Sequence, residues 1–429
     1  MQRIYNWLWV EARAAETADA WKRSAEPTRL LPAHPLPRYT VSEQQQREAA
    51  YDEGQRAVER ELKKSPRSRS ARVKTQHRII AAFAQFSASV LDLEPETVKL
   101  LTNDFLPVGT GLARWARSFD PTLSMPDIIQ ACRNAWTACG LQPLLGAPVA
   151  LTPSILGYSL LYPYSDNFLD REDVSSAEKL RFSRGFRERL RGASPSPKDG
   201  REIALWKLVE LIETQYPRAH YPDVYACLLA IHRAQEESVQ QVESISLTGS
   251  AAQAGSRGDD AKLLRITCAK GGTSVLADAC LARGALTPQE SRFAFDWGVL
   301  LQLGDDLQDV REDMRRGSVT LFSRAAAQGA SLDSLTLQLL SFSERVAADM
   351  DQLPHGDARL KALLRMSWRS LILRAVADSH EYFSPAFLDE AERCSPFRFD
   401  FLRTRNQRLA GRQGLYATLF QAFLGTPEA

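Results

Sequence analysis

The chain has no CxxC pair, no HxxxH or HExxH pattern and almost no alternation of apolar and polar residues at period two. Each absence removes a class of answer. The six cysteines are widely spaced, which reads as reduced thiols rather than a disulfide framework or a zinc centre. The scattered histidines leave no zinc-ligand pair on a helix face. Missing strand alternation and hairpin signals exclude an all-β or α/β reading. Net charge is only +2, so nothing in the balance calls for nucleic acid or an anionic membrane surface. No internal repeat of solenoid length is visible. The stretch from Thr137 to Ser165 carries no charge, but Pro143, Pro148, Pro153 and Pro163 interrupt it, and a spanning helix seldom carries so many. The opening MQRIYNWLWVEARAAE has too short an apolar run for a signal peptide. The expectation is a cytoplasmic protein with no integral membrane segment.

What remains is helical periodicity in a chain of 429 residues, 44% of them apolar. Residues 1–75 are polar or mixed and read as an N-terminal extension, a solvated helix or a partly disordered arm. Residues 76–429 read as one all-α domain. TPSILGYSLLYPYSDNFLD starts with Thr152 as N-cap and Pro153 at the first helical position. TPQESRFAFDWGVLLQLGDDLQDVREDM starts with Thr287, Pro288 and a capping box closed by Glu290. GASPSPKDG is a surface loop.

Two acidic clusters stand out. Asp166 and Asp170 in DNFLD, and Asp305 and Asp309 in QLGDDLQD, share a spacing of four, which puts each pair on one helix face about 6 Å apart. Each pair is expected near the C-terminal end of a long apolar helix. Such clusters repel themselves unless something positive sits among them. One pair alone is most often a solvated face. Two pairs, each after an uncharged apolar run, point to oxygen ligands at the mouth of an apolar cavity. Mg²⁺ takes one or two carboxylates per ion and fills its shell with water and phosphate oxygens, so the missing charge is expected to arrive as Mg²⁺ with a diphosphate. The face behind Asp305 runs through Gln302, Gly298 and Ala294, and Gly298 is expected to leave room in front of the helix. The face behind Asp166 runs through Tyr162, Ser159 and Ile155, with Pro163 kinking the helix one turn before the acidic pair. Tyr158, Tyr162, Phe168 and Trp297 are candidates for an aromatic wall, against the plainer reading of core aromatics. His232 and Gln235 share a face, with a buried polar pair the plainer reading.

The segment from Gly298 to Asp309 resembles the GxxxQxxDDxxD second aspartate-rich motif of trans-isoprenyl diphosphate synthases, with every defining position met. DNFLD resembles their first DDxxD motif, with Asn167 in place of the second Asp. DNFLDREDVSSAEKLRF also looks like the first-motif region of squalene and phytoene synthases. CAKGGTSVLAD resembles the kinked prenyltransferase helix whose Lys holds diphosphate. The resemblance, to the class I isoprenoid synthase superfamily, covers residues 80–330. Two departures stand beside it. Arg171-Glu172-Asp173 follows the first motif where chain-elongating enzymes carry paired arginines, and the NSE-type motif of the usual bacterial terpene cyclases is missing. The nearest likeness is to large, unusual bacterial terpene synthases with prenyltransferase-like motifs.

The resemblance implies an all-α barrel around an apolar pocket and a prenyl diphosphate as substrate, and it is compatible with a homodimer. It assigns Asp166 and Asp170 to one Mg²⁺ cluster, and Asp305 and Asp309 to the other. Asp306 diverges by about 100° on the helix. Asn167 would be a neutral ligand or a donor behind the ligands. Lys270 would bind diphosphate. Arg315 and Arg316 would close over it, or else form an ordinary C-terminal dipole pair. Gln302 would orient a carboxylate or line the pocket. The implied activity is a Mg²⁺-dependent terpene synthase that ionises a prenyl diphosphate and cyclises or eliminates. The alternatives are a prenyltransferase that joins two isoprenoid units and a non-catalytic helical scaffold.

Overall fold

A computed structural model describes residues 4–24, 36–63, 68–169, 171, 173–248 and 257–410, with backbone alone at 69, 72, 239–248, 257–259 and 406–410. Among them the secondary structure is helical, with no strand. In chain order the helices are α1 (Trp7–Arg23), α2 (Val41–Leu62), α3 (Arg69–Val90), α4 (Pro95–Lys99), α5 (Leu106–Phe119), α6 (Met125–Leu144), α7 (Pro153–Ser159), α8 (Leu161–Tyr164), α9 (Asp166–Leu169) and α10 (Ser176–Leu190). There follow α11 (Gly200–Gln215), α12 (Pro222–Thr248), α13 (Arg257–Arg283), α14 (Pro288–Gln308), α15 (Val310–Arg316), α16 (Leu321–Ala327), α17 (Asp333–Asp351), α18 (Ala358–Asp378), α19 (Pro385–Arg393) and α20 (Phe399–Ala410). No described helix is long and apolar enough to cross a membrane. All six cysteines are buried free thiols.

The chain divides into two compact units, one of residues 1–34 and 133–372, the other of 35–132 and 373–429. The first 75 residues therefore fall partly in each. In the second unit α2 lies against α3, and Tyr51 makes edge contacts with Phe86, Phe397 and Phe401. The polar side chains of α2 are used there. Buried Gln44 donates to the carbonyls of Glu392 and Ser395, and buried Glu48 pairs with Arg398.

The first unit is built around α13 and α14, the most extensive helix–helix contact in the chain. Its cause is three glycines. A Cβ added to Gly298 would lie 2.1 Å from the Gly271 carbonyl oxygen, and one added to Gly272 would lie 2.4 Å from the Phe295 ring. This corrects the expectation that Gly298 opens space for a substrate, because the backbone of α13 fills that space. α1 packs on the same pair. Val10, Ala14, Ala18 and Trp21 form its buried stripe, and buried Arg13 pairs with buried Asp296 at 2.5 Å. Thr17 donates to the same carboxylate at 2.7 Å.

The helix starts follow the sequence. Thr287 and Glu290 form the capping box of α14 with Pro288 in its first turn, and Thr152 caps α7 before Pro153. The single kinked helix expected over DNFLD is instead three short ones, broken at Leu160 and Ser165. Pro163 accounts for the first break. It has no N–H for the Ser159 carbonyl, and its ring crowds that oxygen. Ser165 donates its hydroxyl to the Leu161 carbonyl at 2.9 Å at the second. Asp166 thus opens a four-residue helix rather than ending a long one.

Candidate functional site

The second acidic motif lies where α14 meets α15. Asp309 is the joint, and the four-residue register runs through it. The Asp309 N–H donates to the Asp305 carbonyl, and the Asp313 N–H to the Asp309 carbonyl, each at 2.8 Å. Asp305, Asp309 and Asp313 therefore recur along one face. Asp305 is open to solvent but crowded by protein atoms. Lost hydration raises its carboxyl to about 6, with Asp309 adding to the shift and Arg133 and Lys270 opposing it. Asp313 is raised to about 6, first by lost hydration and then by the Asp309 charge. Burial sets both shifts more than repulsion does, and at Asp305 the Arg133 charge outweighs that of Asp309.

Asp306 faces inward and is buried. Gln302, one turn earlier, donates to its Oδ1 at 2.9 Å, while Oδ2 has no hydrogen-bond partner among the described residues. Burial pushes its carboxyl up to about 7 despite that bond and the Lys270 charge. Of the two roles foreseen for Gln302, the hydrogen bond matches the first. Asp313 and Arg133 were not singled out from sequence. Asp313 was findable as the next step of four. Arg133 is distant in sequence, and no local pattern marks it.

Lys270 on α13 offsets Asp305, Asp306 and Asp313 together. Ser274 follows one turn later and Asp278 one turn after that, on the same helix face. Ser274 lines an open recess. Tyr158 lines the same recess, and burial pushes its phenol well up. Asp278 is buried, its Oδ1 has no partner among the described residues, and burial keeps its carboxyl well above the usual range.

Asp166 of the first motif lines the same recess. Tyr158, Tyr162 and Asp166 form one wall, and Leu228, Ile231, His232 and Gln235 of α12 form another. Asp166 is buried and Asn167 half-buried. Asp170 lies outside the described residues. Phe168 and Trp297 are not in the wall. Arg201 stacks over Phe168 beside Phe182, and Trp297 packs with Phe293 and Trp368. They are core, as the plainer reading had it. Arg315 and Arg316 are exposed and pair with Glu312 on their own helix, and Gly317 ends that helix in the left-handed conformation at φ 71°.

His232, Ser183 and Glu236 form a Ser-His-carboxylate group, but they are not wired as a nucleophilic triad. Both Ser183 Oγ, at 3.1 Å, and Glu236, at 3.5 Å, meet the same imidazole nitrogen, Nε2. A relay needs the carboxylate on one nitrogen and the hydroxyl on the other.

Among the described residues, no three His, Cys, Asp or Glu side chains converge closely enough to hold a metal ion by themselves. The chemistry of the donors nevertheless fits a hard divalent cation. All are oxygens, and Asp306 Oδ2 is buried without a partner among the described residues. An ion here would take its remaining ligands from water and from substrate. Compared with protein-family models, curated proteins and solved structures, the chain matches none.

Proposed function

We propose that the protein is a Mg²⁺-dependent class I isoprenoid synthase that ionises a prenyl diphosphate, then cyclises or eliminates, and releases diphosphate. One observation carries the reading. The acidic face Asp305–Asp309–Asp313 flanks Lys270, and Ser274, one turn along the same helix, lines the recess that Asp166 also lines.

Asp305 and Asp309 would hold Mg²⁺ in one cluster and Asp166 would hold it in the other, with water and substrate oxygens completing each shell. Bound there, the ion supplies Lewis-acid neutralisation of the leaving diphosphate. The chain's own residues do the rest. Lys270 adds a fixed positive charge beside the acidic face. Tyr158 and Tyr162 offer ring faces to the carbocation, worth roughly 0.5–2 kcal/mol each. Leu228 and Ile231 keep water from it.

Incubation of the purified chain with Mg²⁺ and geranyl, farnesyl or geranylgeranyl diphosphate is expected to release diphosphate and a hydrocarbon or alcohol from a single substrate. A longer diphosphate formed only with isopentenyl diphosphate would favour a chain-elongating prenyltransferase, and no turnover of any of them would favour a scaffold.

A further inference from the structure

The group around His232 fixes where its proton sits. Glu236 accepts from Ser183 Oγ and from Arg187. Burial opposes its ionisation, but Ser183, His232 and Arg187 together hold it below the usual range, so at neutral pH it is a carboxylate and can only accept. Ser183 Oγ has one proton, and Glu236 takes it. The Ser183 carbonyl can only accept as well. Nε2 of His232 lies 3.1 Å from Ser183 Oγ and 3.1 Å from the Ser183 carbonyl oxygen. Nε2 must therefore donate. Burial, opposed by Glu236, holds the ring below its usual pKa, so it is neutral. The lone pair is on Nδ1, in a ring that lines the recess with Gln235.

We infer that His232 is the base that ends the reaction in this recess, through Nδ1. The inference rests on the proposed ionisation of a prenyl diphosphate. A C–H bond next to the cationic carbon breaks, and its electron pair becomes the new C=C bond. The proton bonds to Nδ1, and the ring becomes an imidazolium. Glu236, 3.5 Å from Nε2, offsets the new charge. The ring returns to its neutral form by losing the proton to water after product leaves. A carbocation is acidic enough that a weak, neutral base suffices, and position decides which C–H bond is broken. Leu228, Ile231, His232 and Gln235 share one face of α12, so the apolar wall that holds the cation also presents the base.

The test uses the full chain with Mg²⁺ and geranyl, farnesyl or geranylgeranyl diphosphate, reading released diphosphate and the product mixture by mass spectrometry. In His232→Gln the share of the wild-type alkene among products is expected to fall about tenfold or more, as position-specific proton transfer is lost. Alcohols or other alkene isomers take its place. In Ser183→Ala the backbone carbonyl still holds Nε2, so the share falls by less than about threefold. An equal fall in both variants would assign the effect to packing and overturn the inference. So would a wild-type product pattern in His232→Gln while diphosphate is released. His232→Asn is read in the same way if the Gln variant does not fold. If the wild type releases no diphosphate from any of the three, the functional reading fails and this inference fails with it.

Discussion

Asp305 and Asp306 are neighbours with opposite surroundings, one open to solvent beside Arg133 and Lys270, the other buried against Gln302. The pH dependence follows from the raised pKa of Asp306. A carboxyl that moves from 3.8 to about 7 on folding binds its proton more tightly when folded. Its contribution to stability is full below about pH 4 and is lost as pH rises through 7. Moving that carboxyl from 3.8 to about 7 corresponds to roughly 4 kcal/mol for a buried group. Asp306→Asn keeps an acceptor for Gln302 and removes the ionisation. It is expected to raise the metal-free thermal midpoint most at pH 8 and by a smaller amount at pH 5. A variant no more stable than the wild type at pH 8 would mean that Asp306 is not strained by its burial. At this scale the sequence carried the motif and its register. Asp313 needed only one more step of four. Arg133 and Ser274 needed the tertiary structure, because the helices that present them are far from Asp305 in sequence or lie on a face with no charge pattern.

Helix starts are local chemistry, and they were legible: Thr152 with Pro153, and Thr287 with Pro288 and Glu290, sit where their hydrogen bonds require. The break of the first-motif helix was half legible. Pro163 announced a distortion, but three short helices depend on Leu160 and Ser165 adopting cap conformations that no propensity encodes. The role of Gly298 was misread for a physical reason. A mid-helix glycine says only that something comes close, not whether it is a ligand or another backbone. Here it is Gly271. Gly298→Ala is therefore expected to destabilise the first unit by at least the 1–3 kcal/mol typical of overpacking, about, because a backbone carbonyl cannot swing aside as a side chain can. Urea unfolding measures this. An unchanged midpoint would contradict the close crossing of α13 and α14.

Across the whole molecule, the helical class was legible from the absence of period-two patterning, and the described residues form helices and no strand. The division of the chain was less so. α1 looks mixed in composition, yet its stripe of Val10, Ala14, Ala18 and Trp21 is buried, and its Arg13 charge is met by Asp296, on the helix that ends in the acidic motif. Sequence separation of 283 residues hides that pairing. The account as a whole rests on the acidic face being a metal and diphosphate site. The most direct test is diphosphate release from a prenyl diphosphate, with Mg²⁺, by the wild type and by Asp305→Asn and Asp309→Asn. Each change keeps side-chain size and removes one anionic ligand. Metal stabilisation of a leaving group is worth several kcal/mol, and each 1.36 kcal/mol is tenfold in rate, so release is expected to fall about a hundredfold or more in each variant. Both variants should stay folded without metal. Release at the wild-type rate in both folded variants would contradict the account.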